Sequence, residues 1–370
     1  MSTLELDKFW KSKQQKKWSL SDVPFYEKGK PPNILAWHNL DYLEIYEKIY
    51  GNSWGANGIG RLREVALIRI TEFENCELYK EDPIYFKGFE GQLIDTARWE
   101  AQQENYAGVL KENGVKVNWI DFQPSPPMSA FGPMTNLYAA AELLVVRGGA
   151  IVPKMGWGPL SIGRSEYLSR WVSWNLNVPT LLTICGKGVC EAGASLFIAD
   201  DVFVTALSVA YNQEGLDQLI PVLRRTGTEE VLVMKMPGFS YFDSETGCSA
   251  HPDMVLGPLD IGKAVIFPPG CDYDTHKWLR SKNFALVETD LKEQVNFLPC
   301  NLMTLEPGKV IMHSGATNAI RAVRKLGMDV IEVPYTEGIK HGGGISCATM
   351  RLRRDTGPRL NDQARKTNLN

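Results

Sequence analysis

The sequence predicts a five-bladed α/β propeller, on three observations. An apolar hairpin turned at Gly or Asp, followed by an amphipathic stretch and a further apolar strand, recurs along the 370 residues. The amphipathic stretches carry apolar residues at a period near 3.6. Hairpins also keep appearing where a doubly wound α/β sheet would supply a single strand between helices. Five ββαβ-like units closing into a ring around a central active site account for all three.

In the first unit, Glu64 to Ile70 leads to a helix from Asp95 to Glu112 and a strand from Val115 to Ile120. The second turns at Arg147-Gly148-Gly149-Ala150 between Leu143–Val146 and Ile151–Pro153, then continues through a helix near Ser165–Trp174 to Thr180–Ile184. The third turns at Asp200-Asp201 between Ser195–Ala199 and Val202–Ala206, with helix Glu214–Arg224 and strand Glu230–Met234. In the fourth, Met254–Leu256 and Ala264–Phe267 flank Asp260-Ile261-Gly262, ahead of helix Asp274–Ser281 and strand Ala285–Glu288. The fifth turns at Glu306-Pro307-Gly308 between Asn301–Leu305 and Val310–His313, followed by helix Asn318–Leu326 and strand Asp329–Val333. Gly and Asp suit such tight hairpin turns because they tolerate left-handed backbone. Ala348 to Leu352 is the expected closing strand. Residues 1–53 are assigned to an N-terminal arm and packing extension, and 54–370 to a single catalytic domain.

Hydrophobic residues make up 44% and charged residues 22%, the balance of a globular protein with a sizeable core. A formal net charge of −3 gives no case for nucleic acid or a membrane surface as partner. The basic run Lys8 to Lys17 reads as a solvated arm. No stretch approaches the ~18 consecutive apolar residues of a membrane span, and Met1-Ser2-Thr3-Leu4-Glu5-Leu6-Asp7 has no apolar signal core. Seven cysteines are dispersed and lack metal-ligand spacing, so a reducing, cytoplasmic compartment is expected.

The strongest chemical feature is Gly342-Gly343-Gly344-Ile345-Ser346-Cys347. Glycines let a backbone turn sharply and approach a ligand without a Cβ in the way, so the cysteine is expected within reach of a small molecule. His251-Pro252-Asp253 precedes the fourth unit's apolar strand, and an extended backbone there puts His251 and Asp253 on one face. A thiol with an imidazole that handles protons is the minimal pair for covalent catalysis. Cys76, Cys185, Cys190, Cys248, Cys271 and Cys300 read as structural, because free cysteine packs as a small apolar residue. Arg351, Arg353 and Arg354 could pair with a substrate carboxylate. On a regular strand, however, Arg351 and Arg353 would share a face that could equally be solvated.

From about Trp54 onward the chain resembles the guanidino-group modifying superfamily of arginine deiminases, dimethylarginine dimethylaminohydrolases and amidinotransferases. The resemblance is carried by Gly58-Ile59-Gly60-Arg61-Leu62-Arg63-Glu64-Val65, by Asn212-Gln213-Glu214-Gly215 as its Asn-x-Glu-Gly, and by His251-Pro252-Asp253 as its His-x-Asp. It is most specific at Gly342-Gly343-Gly344 with Cys347 and Arg353-Arg354. Two motifs depart. Ala139-Ala140-Ala141-Glu142-Leu143 stands where many of these hydrolases have Phe-x-Arg-Asp-Pro, which puts Glu142 in place of a substrate-binding aspartate. Glu191-Ala192-Gly193-Ala194 keeps the glutamate of Glu-Gly-Gly-Asp and loses its last acid.

The resemblance implies the pentein fold, itself a five-bladed α/β propeller, and a covalent mechanism. Glu142, Glu191 and Asp253 would hold a cationic guanidino or amidino group, with Arg353 as a further substrate ligand. Cys347 would attack the central carbon as thiolate, and His251 would protonate the departing amine. Water reaching the amidino-thioether makes a C–N hydrolase, and an amine reaching it makes an amidinotransferase. Loss of the usual acids also admits a non-catalytic binding propeller, against which the joint retention of Cys347, His251 and Asp253 argues. This chemistry calls for a small-molecule guanidino or amidino partner and for no metal or organic cofactor. Assembly into a homo-oligomer is left open.

Overall fold

The computed structural model describes residues 19–50, 54–69, 95–120, 143–156, 164–237, 242–340 and 342–362. Residues up to Gly51 form one compact unit and those from Asn52 a second. The first contains α1 (Ile34–His38), capped by Asn33 Oδ1 accepting the Ala36 N–H at 3.0 Å, and α2 (Tyr42–Tyr50).

The second unit opens with β1 (Leu62–Ile68), α3 (Thr96–Glu112) and β2 (Lys116–Ile120). Next come β3 (Leu144–Val146), β4 (Gly149–Val152), α4 (Arg164–Leu176) and β5 (Thr180–Thr183). The third set is β6 (Leu196–Ala199), β7 (Val202–Leu207), α5 (Gln213–Arg225) and β8 (Glu230–Lys235). The fourth is β9 (Leu256–Asp260), β10 (Lys263–Ile266), α6 (Tyr273–Ser281) and β11 (Ala285–Glu288), trailed by α7 (Leu291–Phe297). The fifth is β12 (Met303–Glu306), β13 (Lys309–His313), α8 (Thr317–Lys325) and β14 (Asp329–Val333), trailed by α9 (Thr336–Lys340). A last strand, β15 (Met350–Arg354), follows.

These strands form five three-stranded sheets, each with one antiparallel and one parallel pairing. The hairpin makes the antiparallel pair. The helix then carries the chain back to add the parallel strand, because parallel neighbours need a long crossover. Gly262 (φ +70°) and Gly308 (φ +84°) supply the left-handed backbone at two hairpin turns. The first sheet differs, because its antiparallel partner for β1 is β15, from the far end of the chain.

Five apolar clusters close the ring, each shared by two neighbouring sheets. Met350 and Ile68 of the first sheet pack with Val145 and Val152 of the second, and Val146 and Ile151 pack with Phe197 and Phe203 of the third. Val202 and Val204 pack with Leu256 and Ile266, Leu259 and Val265 with Val310 and Met312, and Met303 and Ile311 with Leu62 and Val65 of the first sheet again. Val310, Ile311 and Met312 are all fully buried, which stabilises the fold by about 1.5–3 kcal/mol for each side chain. The protein is therefore a five-bladed α/β propeller.

Two features differ from the sequence reading. The strand expected at Met254–Leu256 begins only at Leu256, and Pro252–Met254 form a 3-10 turn instead. Helices α7 and α9 were not anticipated, and both lead directly into site residues. Among the described residues, no helix is long and apolar enough to cross a membrane.

Candidate active site

Cys347 is held by the turn that follows α9. Gly342 (φ +86°) takes the left-handed conformation there. At Gly344 a Cβ would stand only 2.7 Å from Asn301 Oδ1, so glycine is what lets Asn301 approach. The Asn301 side chain then grips Cys347 twice. Its Oδ1 accepts the Cys347 N–H at 3.2 Å, and its Nδ2 lies 3.2 Å from Cys347 Sγ. Asn301 Nδ2 also donates to Asp253 Oδ2 at 2.9 Å, and the Cys347 thiol points at that same oxygen from 3.6 Å. Asn301 arrives from the segment after α7, which ends on Leu298 in the left-handed region. Sequence reading assigned Asn301 to a strand and gave it no role. Its only signature is a polar residue at the entrance of an apolar run.

His251 and Asp253 reach the site by a different route from the one expected. Pro252 occupies the first position of the 3-10 turn, which its fixed φ favours, so the flanking residues do not alternate as on a strand. His251 Nε2 instead meets Glu191 Oε2 at 3.1 Å, while Asp253 turns to Asn301 and Cys347. The imidazole and the carboxylate thus stand at one site with separate partners.

Glu191 is delivered by the loop before it, which Asn212-Gln213-Glu214-Gly215 clamps. Asn212 caps α5 by accepting the Gly215 N–H at 2.9 Å, accepts the Val189 N–H at 2.8 Å, and donates to Lys187 O at 2.8 Å. Glu214 Oε1 accepts the Lys187 N–H at 2.9 Å. A Cβ at Gly215 would sit 2.0 Å from Val189 O. Glu191 itself is fully buried and accepts the Gly156 N–H at 2.9 Å through its other oxygen. Ala194, where an acid was missed in the sequence, is fully buried in the apolar cluster around Phe197.

The cysteine is less open than the glycine run suggested, since Cys347 is only 8% exposed. It sits in an apolar collar with Met254 and Leu298, against which Phe242 and Ile339 pack. Burial pushes its thiol well above the ordinary value and the Asp253 charge adds to this, against the bond from Asn301. Asp253 is likewise raised by burial, with His251 and Arg351 opposing. For His251 burial acts downward, yet the hydrogen bond and charge of Glu191, with the charge of Asp253, leave it above its ordinary value.

Arg353 does not reach the site. Its Nη2 stands 3.7 Å from Glu64 Oε2 on the neighbouring strand, with 40% of its side chain exposed. The cause is irregular pairing of β15 with β1, in which Glu64 faces Arg353, Val65 faces Arg351, and Leu62 faces Arg354. A bulge of this kind breaks side-chain alternation. Arg351 and Arg354 turn inward instead and line a cavity beside Asp253 and Ser346. Glu142 and Cys76 lie outside the described residues. Among the described residues, no cluster of three or more His, Cys, Asp or Glu could hold a metal ion.

Comparison with known proteins agrees with this fold. The arginine deiminase family model matches residues 271–354. Over 360 residues the chain is 40% identical to 2-nitroimidazole nitrohydrolase of Mycobacterium sp. (strain JS330), covering 93% of this chain and 94% of that one. Dimethylarginine dimethylaminohydrolase from Pseudomonas aeruginosa, solved as a variant with citrulline, superimposes with a TM-score of 0.61 at 19% identity, over 79% of this chain and 99% of that one. An amidinotransferase from Microseira wollei gives a TM-score of 0.61 at 16% identity, over 83% and 98%. A ring of five blades with a cysteine, a histidine and an aspartate at its centre defines a pentein enzyme. The chain belongs to that guanidino-modifying superfamily, as one of its C–N hydrolases.

Proposed function

We propose that the protein is a cysteine-dependent hydrolase of a 2-nitroimidazole, with Cys347 as nucleophile and nitrite as leaving group. The observation that carries this reading is the apolar collar of Met254, Leu298, Phe242 and Ile339 around the Cys347 thiol. A neutral flat heterocycle suits such surroundings, whereas a guanidinium left unpaired there would be costly. Of the three acids expected to hold a cation, Glu191 is engaged with His251 and Gly156, Asp253 with Asn301 and the Cys347 thiol, and Glu142 lies outside the described residues. The nitrohydrolase of similar sequence supports the same substrate class.

The carbon bearing the nitro group lies between two ring nitrogens, so it is an amidine-type carbon like the centre of a guanidinium. Cys347 passes its proton to Asp253 Oδ2, 3.6 Å away, and sulfur attacks that carbon. The C–S bond forms, the C–N bond to the nitro group breaks, and nitrite leaves with the bonding pair. Water then gives a proton to His251 and attacks the same carbon. The C–S bond breaks and the thiolate is regained. The products are the imidazolone, nitrite and a proton, with no change of oxidation state that needs a co-reactant. Nitrite leaves as an anion, so His251 acts on the water and is not needed by the leaving group, the role a departing amine would demand. Glu191 orients the imidazole for this step. Residues from Trp54 onward carry the catalysis in this reading.

The test is to offer 2-nitroimidazole, L-arginine and dimethylarginine separately and to measure nitrite, ammonia and dimethylamine. Nitrite from 2-nitroimidazole alone, lost in Cys347→Ala, is the expected result. Ammonia or dimethylamine from a guanidino compound, without nitrite from 2-nitroimidazole, would overturn it.

A further inference from the structure

Below the nucleophile lies a cavity that the mechanism above does not use. It offers about 50 Å³ to the centre of a water molecule, which at ~10–15 Å³ per water is room for about three to five waters or one small oxyanion. Arg351, Arg354, Asp253, Ser346, Ser195 and Thr304 are among its walls. It sits at the middle of the ring, since its lining comes from β3, β6, β9, β12 and β15 or the residues beside them.

The donors in this wall are not matched by acceptors. Arg351 has five N–H donors, and among the described residues one bond ties its guanidinium, from Nη2 to Ser346 Oγ. Arg354 donates to Gly60 O and Thr304 O, each at 2.7 Å, and its buried Nε has no partner. Both arginines are partly exposed and line this cavity. Two guanidiniums thus face a space with one carboxylate, Asp253, and burial pulls both below their ordinary values, Arg354 also through the Arg351 charge. Asp200 and Tyr106 act on Arg354 in the opposite sense, and Asp253, Tyr106 and Cys347 do so on Arg351.

We infer that this cavity is a small-anion site, with Arg351 as its principal donor, that receives the nitrite displaced at Cys347. The assignment of nitrite rests on the denitration reading, whereas the anion site itself does not. Asp253 stands in the wall between thiol and cavity. Its negative charge would oppose entry, but the proton it takes from Cys347 discharges it in the step that makes nitrite. The anion then moves away from the collar and leaves the attacked carbon open to water. Bidentate, charge-assisted bonds from a guanidinium suit the two oxygens of nitrite.

Crystals of the wild-type protein soaked in bromide locate the site by anomalous scattering, and calorimetry with sodium nitrite measures its affinity in wild type, Arg351→Lys and Arg351→Gln. The expected results are a bromide peak in the cavity beside Arg351, nitrite binding weakened at least tenfold in Arg351→Gln, and a smaller loss in Arg351→Lys. A cavity empty of bromide in the wild type, or equal nitrite affinity in a folded Arg351→Gln protein, would overturn the inference. Bromide in the cavity of a protein that releases no nitrite from 2-nitroimidazole would sink the substrate assignment and keep the anion site. Nitrite release with no bromide in the cavity would do the reverse.

Discussion

Glu191 sets the acidity of His251, and that makes the pair testable by pH. Removing the carboxylate charge in Glu191→Gln takes away a raising influence and leaves burial, which lowers the imidazole, with Asp253 still opposing it. His251 must be neutral to take a proton from water, so activity falls as pH drops through its raised value. The acid limb of kcat/KM should therefore move to lower pH in Glu191→Gln, and an unmoved limb would remove His251 as the titrating base. For stability the sign is opposite: a raised histidine contributes fully at low pH, and that contribution fades as pH rises through the folded value. His251→Ala should cost roughly 10²–10⁴ in kcat, as expected for general acid–base catalysis, and should also lower the melting temperature, because the buried Glu191 carboxylate loses its imidazole partner. The meeting of Cys347, His251 and Asp253 at one site was legible in the sequence because each lies in a short local motif. Asn301 was not, because its role arises only when a neighbouring blade brings it against Gly344. Arg353 was misread because a bulge, which local spacing does not reveal, turned Arg351 and Arg354 inward in its place.

The elements that aim these residues are short, and their polar groups decide where they sit. Helix α8 has Ala316 at its N-cap position and no side-chain cap of its own. Glu293, from α7, supplies it by accepting the Asn318 and Ala319 N–H groups at 2.6 and 2.9 Å. Glu293→Ala should then lower stability by about 1–2 kcal/mol, the scale of a lost cap, measured by urea denaturation, and Glu293→Gln should lose less. Equal stability in all three proteins would show that the cap carries no weight. The buried positions of α7 are Glu293 and Gln294, so it has no apolar stripe for a periodicity reading to detect. The longer helices, such as α5 with Leu216, Leu219 and Leu223 buried, were legible for the converse reason. The 3-10 turn at Pro252 shows the limit of alternation: one proline separated two side chains that the strand assumption had placed together.

At the scale of the whole ring, closure depends on the last segment of the chain. Beyond β15, the Leu360 and Asn361 N–H groups donate to the two oxygens of Asp201 at 2.8 and 3.0 Å, and the Gly357 N–H donates to Asp200 at 2.9 Å. Asp201 is fully buried at the turn of the third blade, so Asp201→Ala should lower stability by about 3 kcal/mol for two bonds to a charged group. A melting temperature equal to wild type would contradict this strap. The ring as a fold was legible because five hairpin-and-helix units repeat in the sequence. The strap was not, since its acceptors had been assigned only to a turn. In the proposed reading these parts converge on one event, the attack of Cys347 on an amidine-type carbon, and intact-mass analysis after rapid acid quench observes it directly. With 2-nitroimidazole, the wild-type protein should gain the mass of an imidazolyl group without its nitro group, mapped to the peptide carrying Cys347, while Cys347→Ala gains nothing. Nitrite release from wild-type protein that never carries this adduct, or release undiminished in Cys347→Ala, would contradict the account.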